Sequence, residues 1–222
     1  MIPLTPFKKF VAKWQDGCGS CQCESANKVV LCRGSIPCDV LFIGEAPGAS
    51  EDILGQPFVG PAGKLLDGII QEAFGDSELC SICLKGGIRD TLTKTPSGLV
   101  CQNGHGEPPT TRLRLAFTNL VGCIPAKDEE TGKIGEPDKA QIKQCQPRLV
   151  EFIDLAKPRM IVTVGALALK HMPPLDMKRG IAKISSIVHP AAILRAVPAQ
   201  QGMMRRRAVV VLATALEETF KE

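Results

Sequence analysis

Leu41-Phe42-Ile43-Gly44-Glu45-Ala46-Pro47-Gly48 is the stretch on which the reading of this chain turns. A short apolar run passes without a polar break into a loop holding a carboxylate, a proline and glycines, which predicts a buried strand ending in a built site. Downstream, Glu51-Asp52 and Gly55-Gln56-Pro57-Phe58-Val59-Gly60-Pro61-Ala62-Gly63 prolong the loop and set one phenylalanine between glycines and prolines. Residues 44–63 show no clear hydrophobic period and exceed what a strand-to-helix connection requires. Glycine there lets the backbone approach a flat or phosphorylated ligand.

Further along the chain, residues 115–120, 160–164 and 183–188 repeat the short apolar pattern of 39–43, and helical periods occupy 63–74, 139–155 and 166–171. Strands alternating with helices predict an α/β fold of three layers, α/β/α, around a central four-stranded parallel sheet. In such sheets ligands gather beyond the carboxyl ends of the strands. Gly44-Glu45, Asn119, Gly165 and His189 end the four runs, so they are expected to converge on one cleft. Residues 208–213 suit strand or helix by composition.

The chain has 222 residues, 44% of them hydrophobic, and a formal charge of +4, which suit one compact domain over 1–222 and no membrane span. Its first residues lack the apolar core of a secretion signal, so a reducing cytoplasmic setting is expected and disulfides explain the ten cysteines poorly. So small a net charge does not itself predict nucleic-acid binding. Lys8, Lys9 and Lys13, Arg112 and Arg114, and Arg205-Arg206-Arg207 are the local clusters that could touch phosphate, or be solvated faces.

Cys18-x2-Cys21 precedes the first strand, and Cys123 and Cys145 flank a polar loop. Four thiolates from remote segments can enclose one metal centre. Cys23 competes with Cys21 for that role, while Cys32 and Cys38 read as structural thiols. A second set, Cys80-x2-Cys83 with Cys101-x3-His105, lies in a Gly-, Thr-, Pro- and Lys-rich insert at about 76–111. Three thiolates and an imidazole suit tetrahedral Zn2+, which would staple a segment with too little apolar sequence for its own core.

GEAPG at 44–48, ED at 51–52, GQPFVGPAG at 55–63 and Val188-His189-Pro190-Ala191-Ala192-Ile193-Leu194-Arg195 occur in one order. Together they resemble the family 4, iron–sulfur uracil-DNA glycosylases, over residues 18–195 with the insert as an interruption. The resemblance implies a [4Fe–4S] cluster on Cys18, Cys21, Cys123 and Cys145, a support for DNA-facing loops rather than a redox catalyst. It implies hydrolysis of the bond joining a flipped-out uracil to deoxyribose. Phe58 would stack on the base, with Gly44, Ala46 and Gly48 lining its pocket. The Asn119 carboxamide would pair with the pyrimidine edge, and His189 would donate to the oxygen that gathers charge. Glu45 would orient water or favour positive charge on the sugar, although the motif lacks the aspartate of other uracil glycosylase families. Glu51 would bar the thymine methyl, or be only an exposed charge at a helix start.

By the same resemblance, residues after His189 form a minor-groove wedge, with Pro190 and Ala191 against DNA, Leu194 filling the space left by the base and Arg195 near phosphate. Ala191 stands where most members carry serine. A branch that traps the abasic sugar uses a histidine in a Lys-Arg-Arg-Ile-His loop, and residues 203–208 lack it, so turnover is expected. His171 fits a helix end, and residues 208–213 a terminal helix.

These readings describe a monomeric, nucleoid-associated enzyme that starts base-excision repair on single- or double-stranded DNA, with a possible replication or repair partner. A non-catalytic iron–sulfur protein binding DNA or a replication partner is the second reading. A phosphate-cradling nucleotide hydrolase is the third, weakened by the absence of the lysine and hydroxyl of a P-loop.

Overall fold

The computed structural model describes residues 5–18, 26–75, 92–95, 98–101, 113–128, 130–175 and 180–220. Along the chain run α1 (Pro6–Trp14), β1 (Arg33–Gly34), β2 (Val40–Gly44), α2 (Ala49–Leu54), α3 (Pro61–Phe74), β3 (Leu92–Thr95), β4 (Gly98–Cys101) and β5 (Leu115–Asn119). Then follow α4 (Lys139–Ala156), β6 (Met160–Val164), α5 (Ala166–Lys170), β7 (Lys183–Ile187), α6 (Pro190–Arg195) and α7 (Pro198–Phe220). Residues 208–213 therefore belong to a terminal helix, and His171 caps the end of α5.

The main sheet has the order β1-β5-β2-β6-β7. β5, β2, β6 and β7 are the four parallel strands expected, and a fifth, two-residue strand β1 is added antiparallel on the β5 edge. That edge depends on Gly34, at φ 103°, where a Cβ would come within 2.8 Å of Ala116 Cα.

Every residue of β2 is buried, and the two-residue period of a strand divides them between two layers. Val40 and Phe42 pack with Leu66, Ile69 and Ile70 of α3 and Leu212 of α7. Leu41 and Ile43 pack with Phe10 of α1 and Leu149, Phe152 and Ile153 of α4. Phe42 and Phe117 stack at 5.0 Å between centroids across the strand pair. Burial of each such side chain is worth about 1.5–3 kcal/mol, which is why a continuous apolar run rather than an alternating one makes these strands.

Helix limits follow local chemistry. Pro61 occupies the first turn of α3, whose missing N–H costs nothing there. Asp138 caps α4 by accepting from Gln141 N–H at 2.7 Å, while the Gln141 side chain accepts from Asp138 N–H. α4 ends on Lys157 in the left-handed region, before Pro158.

The chain leaves β2 for β5 through α3 on one face and returns past β2 to β6 through α4 on the other. This reversal opens a crevice beyond the carboxyl ends of the strands. Of the zinc set, Cys80, Cys83 and His105 lie outside the described residues, and Cys101 ends the β3–β4 hairpin. Among the described residues no helix is long and apolar enough to cross a membrane.

Candidate active site

A cleft of about 940 Å³ occupies the predicted end of the sheet. Glu45, Ala46, Gly48, Glu51, Phe58, Asn119, His189, Ala191 and Arg195 all line it, so residues from four distant segments meet at one place. Register explains the first contact, because Gly44 pairs with Asn119 between β2 and β5. A Cβ at Gly44 would collide with Asn119 Oδ1 and lie 2.5 Å from Phe58 Cζ, so a ring and an amide flank this glycine and only glycine fits between them. Beyond the strands, Leu120 N–H donates to Gly44 O at 2.9 Å and Val121 N–H to Glu45 O at 3.3 Å, lacing the two loops together.

Phe58 is 7% exposed and has φ 57°, a conformation that disfavours an aromatic residue. Two charged residues hold it there. Buried Arg33 donates from Nε to Pro57 O at 2.8 Å and from Nη2 to Phe58 O at 3.4 Å, while its guanidinium lies 3.8 Å from the Phe117 ring centroid and pairs with Asp67 at 2.8 Å. The Glu51 carboxylate accepts from Gly48 N–H at 3.2 Å, Val59 N–H at 3.0 Å and Gly60 N–H at 2.8 Å. Glu51 is thus a fixed part of the cleft wall rather than a free charge at the start of α2.

Asn119 is 3% exposed, and among the described residues its carboxamide has no hydrogen-bond partner. It keeps both its donor and its acceptor for a ligand. Its backbone is held instead: Arg148 Nη2 donates to Asn119 O at 2.5 Å.

His189 caps the start of α6, and its Nδ1 accepts from Ala191 N–H at 3.2 Å. An accepting Nδ1 leaves the proton of the neutral ring on Nε2, which makes that nitrogen a donor. Burial pushes the His189 pKa below its ordinary value and the Arg195 charge adds to this, against an opposing effect of Glu51, so the site favours the neutral ring. The Ala191 backbone supplies the bond, and its methyl side chain is not needed for it. Glu45 and His189 flank Gly165, at φ 102°, where a Cβ would meet Glu45 Oε1 and lie 3.2 Å from His189 Cβ. Burial raises the Glu45 pKa, Glu136 raises it further, and Arg195 and the Leu167 N–H act in the opposite sense.

Ile193 seats α6 in the core while Leu194 is 46% exposed beside the cleft. Pro190, expected against DNA, is buried in the first turn of α6 and supports the loop from beneath. Of the basic clusters, Arg114 is engaged by Asp39, Lys13 by Glu151 and Arg205 by Glu72, whereas Arg207 lines the cleft. The long polar loop after Cys123 folds on itself through a Lys127–Ile134 bridge, and Ile134, Gly135, Glu136 and Pro137 add a wall to the cleft.

Cys18, Cys123 and Cys145 line a second, small pocket with Trp14 and Arg148. Cys21 and Cys23 lie outside the described residues, among which no three Cys, His, Asp or Glu form a set able to hold a metal ion. Cys38 is 1% exposed in the core, and burial pushes the Cys32 thiol up to about 12 against the pull of Arg148, as befits structural thiols. Composition and motif gave no role to Arg33 or Arg148, both buried and both donating to backbone carbonyls beside the cleft, and none to buried Asp52 beyond its place in the Glu51-Asp52 pair. A charged residue on an apolar face was the available signal: Arg148 lies on the α4 stripe with Cys145 and Phe152.

Comparison with known proteins agrees with this geometry. The chain is 30% identical over 171 residues to a type-4 uracil-DNA glycosylase of Saccharolobus solfataricus, covering 77% of this chain and 59% of that protein. It is 27% identical over 209 residues to the type-4 uracil-DNA glycosylase of Pyrobaculum aerophilum, covering 85% of each, and 26% identical over 192 residues to that of Thermotoga maritima. Residues 33–213, which hold β1 to β7 and the whole cleft, match the model of the Uracil DNA glycosylase superfamily, and the chain belongs to that family.

Proposed function

We propose that the chain is a uracil-DNA glycosylase that takes uracil out of the DNA stack, hydrolyses its N-glycosidic bond and leaves an abasic site for base-excision repair. The observation that carries this reading is the meeting of Phe58, Asn119, Glu45 and His189 around one cleft. The flipped base stacks on the Phe58 ring, and the Asn119 amide donates to one position of the pyrimidine edge and accepts from its neighbour, a pattern that suits uracil. As the bond to the sugar breaks, negative charge gathers on the uracil, and the Nε2–H of neutral His189 donates to it without reorganising. Glu45 orients the attacking water or favours positive charge on the sugar. Glu51, immobilised by three backbone N–H groups, forms the wall that excludes a methyl at C5. Leu194 enters the space left by the base, and Arg195 meets phosphate.

Cys18, Cys123 and Cys145, with Cys21 or its neighbour Cys23, would hold a [4Fe–4S] cluster. Donor chemistry supports the group, though the three described thiols are not by themselves a metal-holding set: they line one pocket beside a buried guanidinium whose Nε has no hydrogen-bond partner among the described residues. When bound, the cluster cross-links the chain after α1 to the ends of the loops around Asn119.

Oligonucleotides carrying one uracil, single-stranded and duplex, treated with the protein and then with alkali test the reading. Strand cleavage is expected from the wild type. Asn119→Ala or His189→Ala should slow it about 10²–10³-fold without loss of visible cluster absorbance. No cleavage by iron-replete wild type would leave a DNA-binding protein without excision activity.

A further inference from the structure

Arg148 is 1% exposed and sits between the two pockets. Its Nη2 donates to Asn119 O at 2.5 Å and Leu120 O at 3.2 Å, and its Nη1 to Thr118 Oγ1 at 3.1 Å and Leu31 O at 3.3 Å. All four acceptors are neutral. The remaining donor, Nε, is buried without a hydrogen-bond partner, and the guanidinium lines the pocket that Cys18, Cys123 and Cys145 also line. A full charge taken out of water with its fork bound only to carbonyls and a hydroxyl lacks the anion that makes such burial tolerable. The side chains that share this pocket with the guanidinium are the thiols of Cys18, Cys123 and Cys145, so sulfur is where the missing negative charge belongs.

On its other side the fork grips the end of β5. Because the Asn119 carboxamide has no internal hydrogen bond, its direction is set through its own backbone, and Arg148 holds that backbone by the carbonyls on both sides of the next peptide unit. We infer that Arg148 is a positioning residue, at once the counter-charge of the thiolate-ligated cluster and the clamp that aims Asn119 at uracil. This rests on the cluster reading given above. Cluster occupancy then governs uracil recognition through one side chain, without the cluster touching DNA.

The two roles separate in two variants of the full-length, iron-replete protein. Arg148→Met keeps the apolar stem and removes the charge. Arg148→Lys keeps the charge and removes the fork that reaches two carbonyls. A positive charge beside a cluster favours its reduced, more negative state, so Arg148→Met should lower the cluster's reduction potential, and Arg148→Lys should leave it close to wild type. Both should weaken free-uracil binding and lower kcat/KM for excision about 10–100-fold, the range found for residues that orient ligands from behind. A merely structural arginine would lower thermal stability and cluster content with the potential unmoved.

An unchanged potential in cluster-bearing Arg148→Met overturns the counter-charge, and full uracil affinity in Arg148→Lys overturns the clamp. Where Arg148→Met yields no folded protein, the Arg148→Lys potential decides the first point: a value near wild type together with lost uracil affinity is expected, and a changed potential contradicts it. Wild-type protein free of iron and acid-labile sulfide would end the cluster reading itself, a different outcome from brown protein with an unmoved potential.

Discussion

At the scale of the residue, the site is made of side chains held against their preferences. Phe58 keeps a left-handed backbone because Arg33 and Glu51 bind the peptide groups around it, and strain of this kind costs about 1–3 kcal/mol and persists only where surroundings over-determine it. Gly44 is the complement, a gap between Asn119 and Phe58 that a methyl group would fill. Gly44→Ala should therefore reduce excision about 100-fold, read by the alkali assay, while circular dichroism stays that of an α/β protein. In the proposed reaction Glu45 works as a carboxylate, and burial raises its pKa above the ordinary 4.5. Activity accordingly rises with pH through that raised value, which is the acid limb of the profile. Glu136→Gln removes a negative charge that raises the pKa, so the limb moves to lower pH. Arg195→Ala removes a positive charge that lowers it, so the limb moves to higher pH. Both shifts are small, because Glu136 and Arg195 are exposed and screened. A limb that moves the opposite way in either variant would remove Glu45 from the role.

At the scale of the element, α2 and α4 do more than cover the sheet. Asp52 of α2, 3% exposed, accepts from Asn27 N–H at 2.9 Å, from Asn27 Nδ2 at 2.5 Å and from Lys28 N–H at 3.3 Å, which ties the segment after the Cys18 motif to the helix that also carries Glu51. Asp52→Ala strands those donors and should cost about 1–3 kcal/mol in denaturant unfolding. A midpoint unchanged from wild type would mean that water replaces the carboxylate. β2, β5 and β6 were legible because strands buried on both faces read as near-continuous apolar runs, whereas β7, at the sheet edge, is only partly buried and carries Lys183, Ser185 and Ser186. β1 was not, since two residues beginning with a charged Arg33 carry no period at all, and only the sheet edge and Gly34 make them a strand. Arg33 and Arg148 escaped for a related reason: motif reading looks for charges in loops, whereas these are buried charges whose partners are backbone carbonyls from remote segments. The loop after Cys123 was legible as polar, but not its return to the cleft with Glu136. In the insert, Cys80→Ser should remove one equivalent of zinc per chain by metal analysis, and unchanged zinc would dismiss a Cys/His knuckle there.

At the scale of the whole molecule, topology turns separate motifs into one site. Strand order β5-β2-β6-β7 puts the carboxyl ends of four strands side by side, so that Gly44, Asn119, Gly165 and His189 become neighbours although they span most of the sequence. That convergence could be read from chain order and the rule for open parallel sheets. The direction of each side chain could not, because it depends on Arg33, Glu51 and Arg148 acting from behind. The central claim, that a ring, an amide and an imidazole clasp one pyrimidine, is tested most directly by titrating free uracil calorimetrically into wild type and into Phe58→Ala, Asn119→Ala and His189→Ala. The predicted result is binding of uracil but not thymine by the wild type, and at least about tenfold weaker uracil binding in each variant, the loss of one buried interaction of roughly 1.4 kcal/mol. Uracil affinity left intact by Phe58→Ala and Asn119→Ala would contradict it.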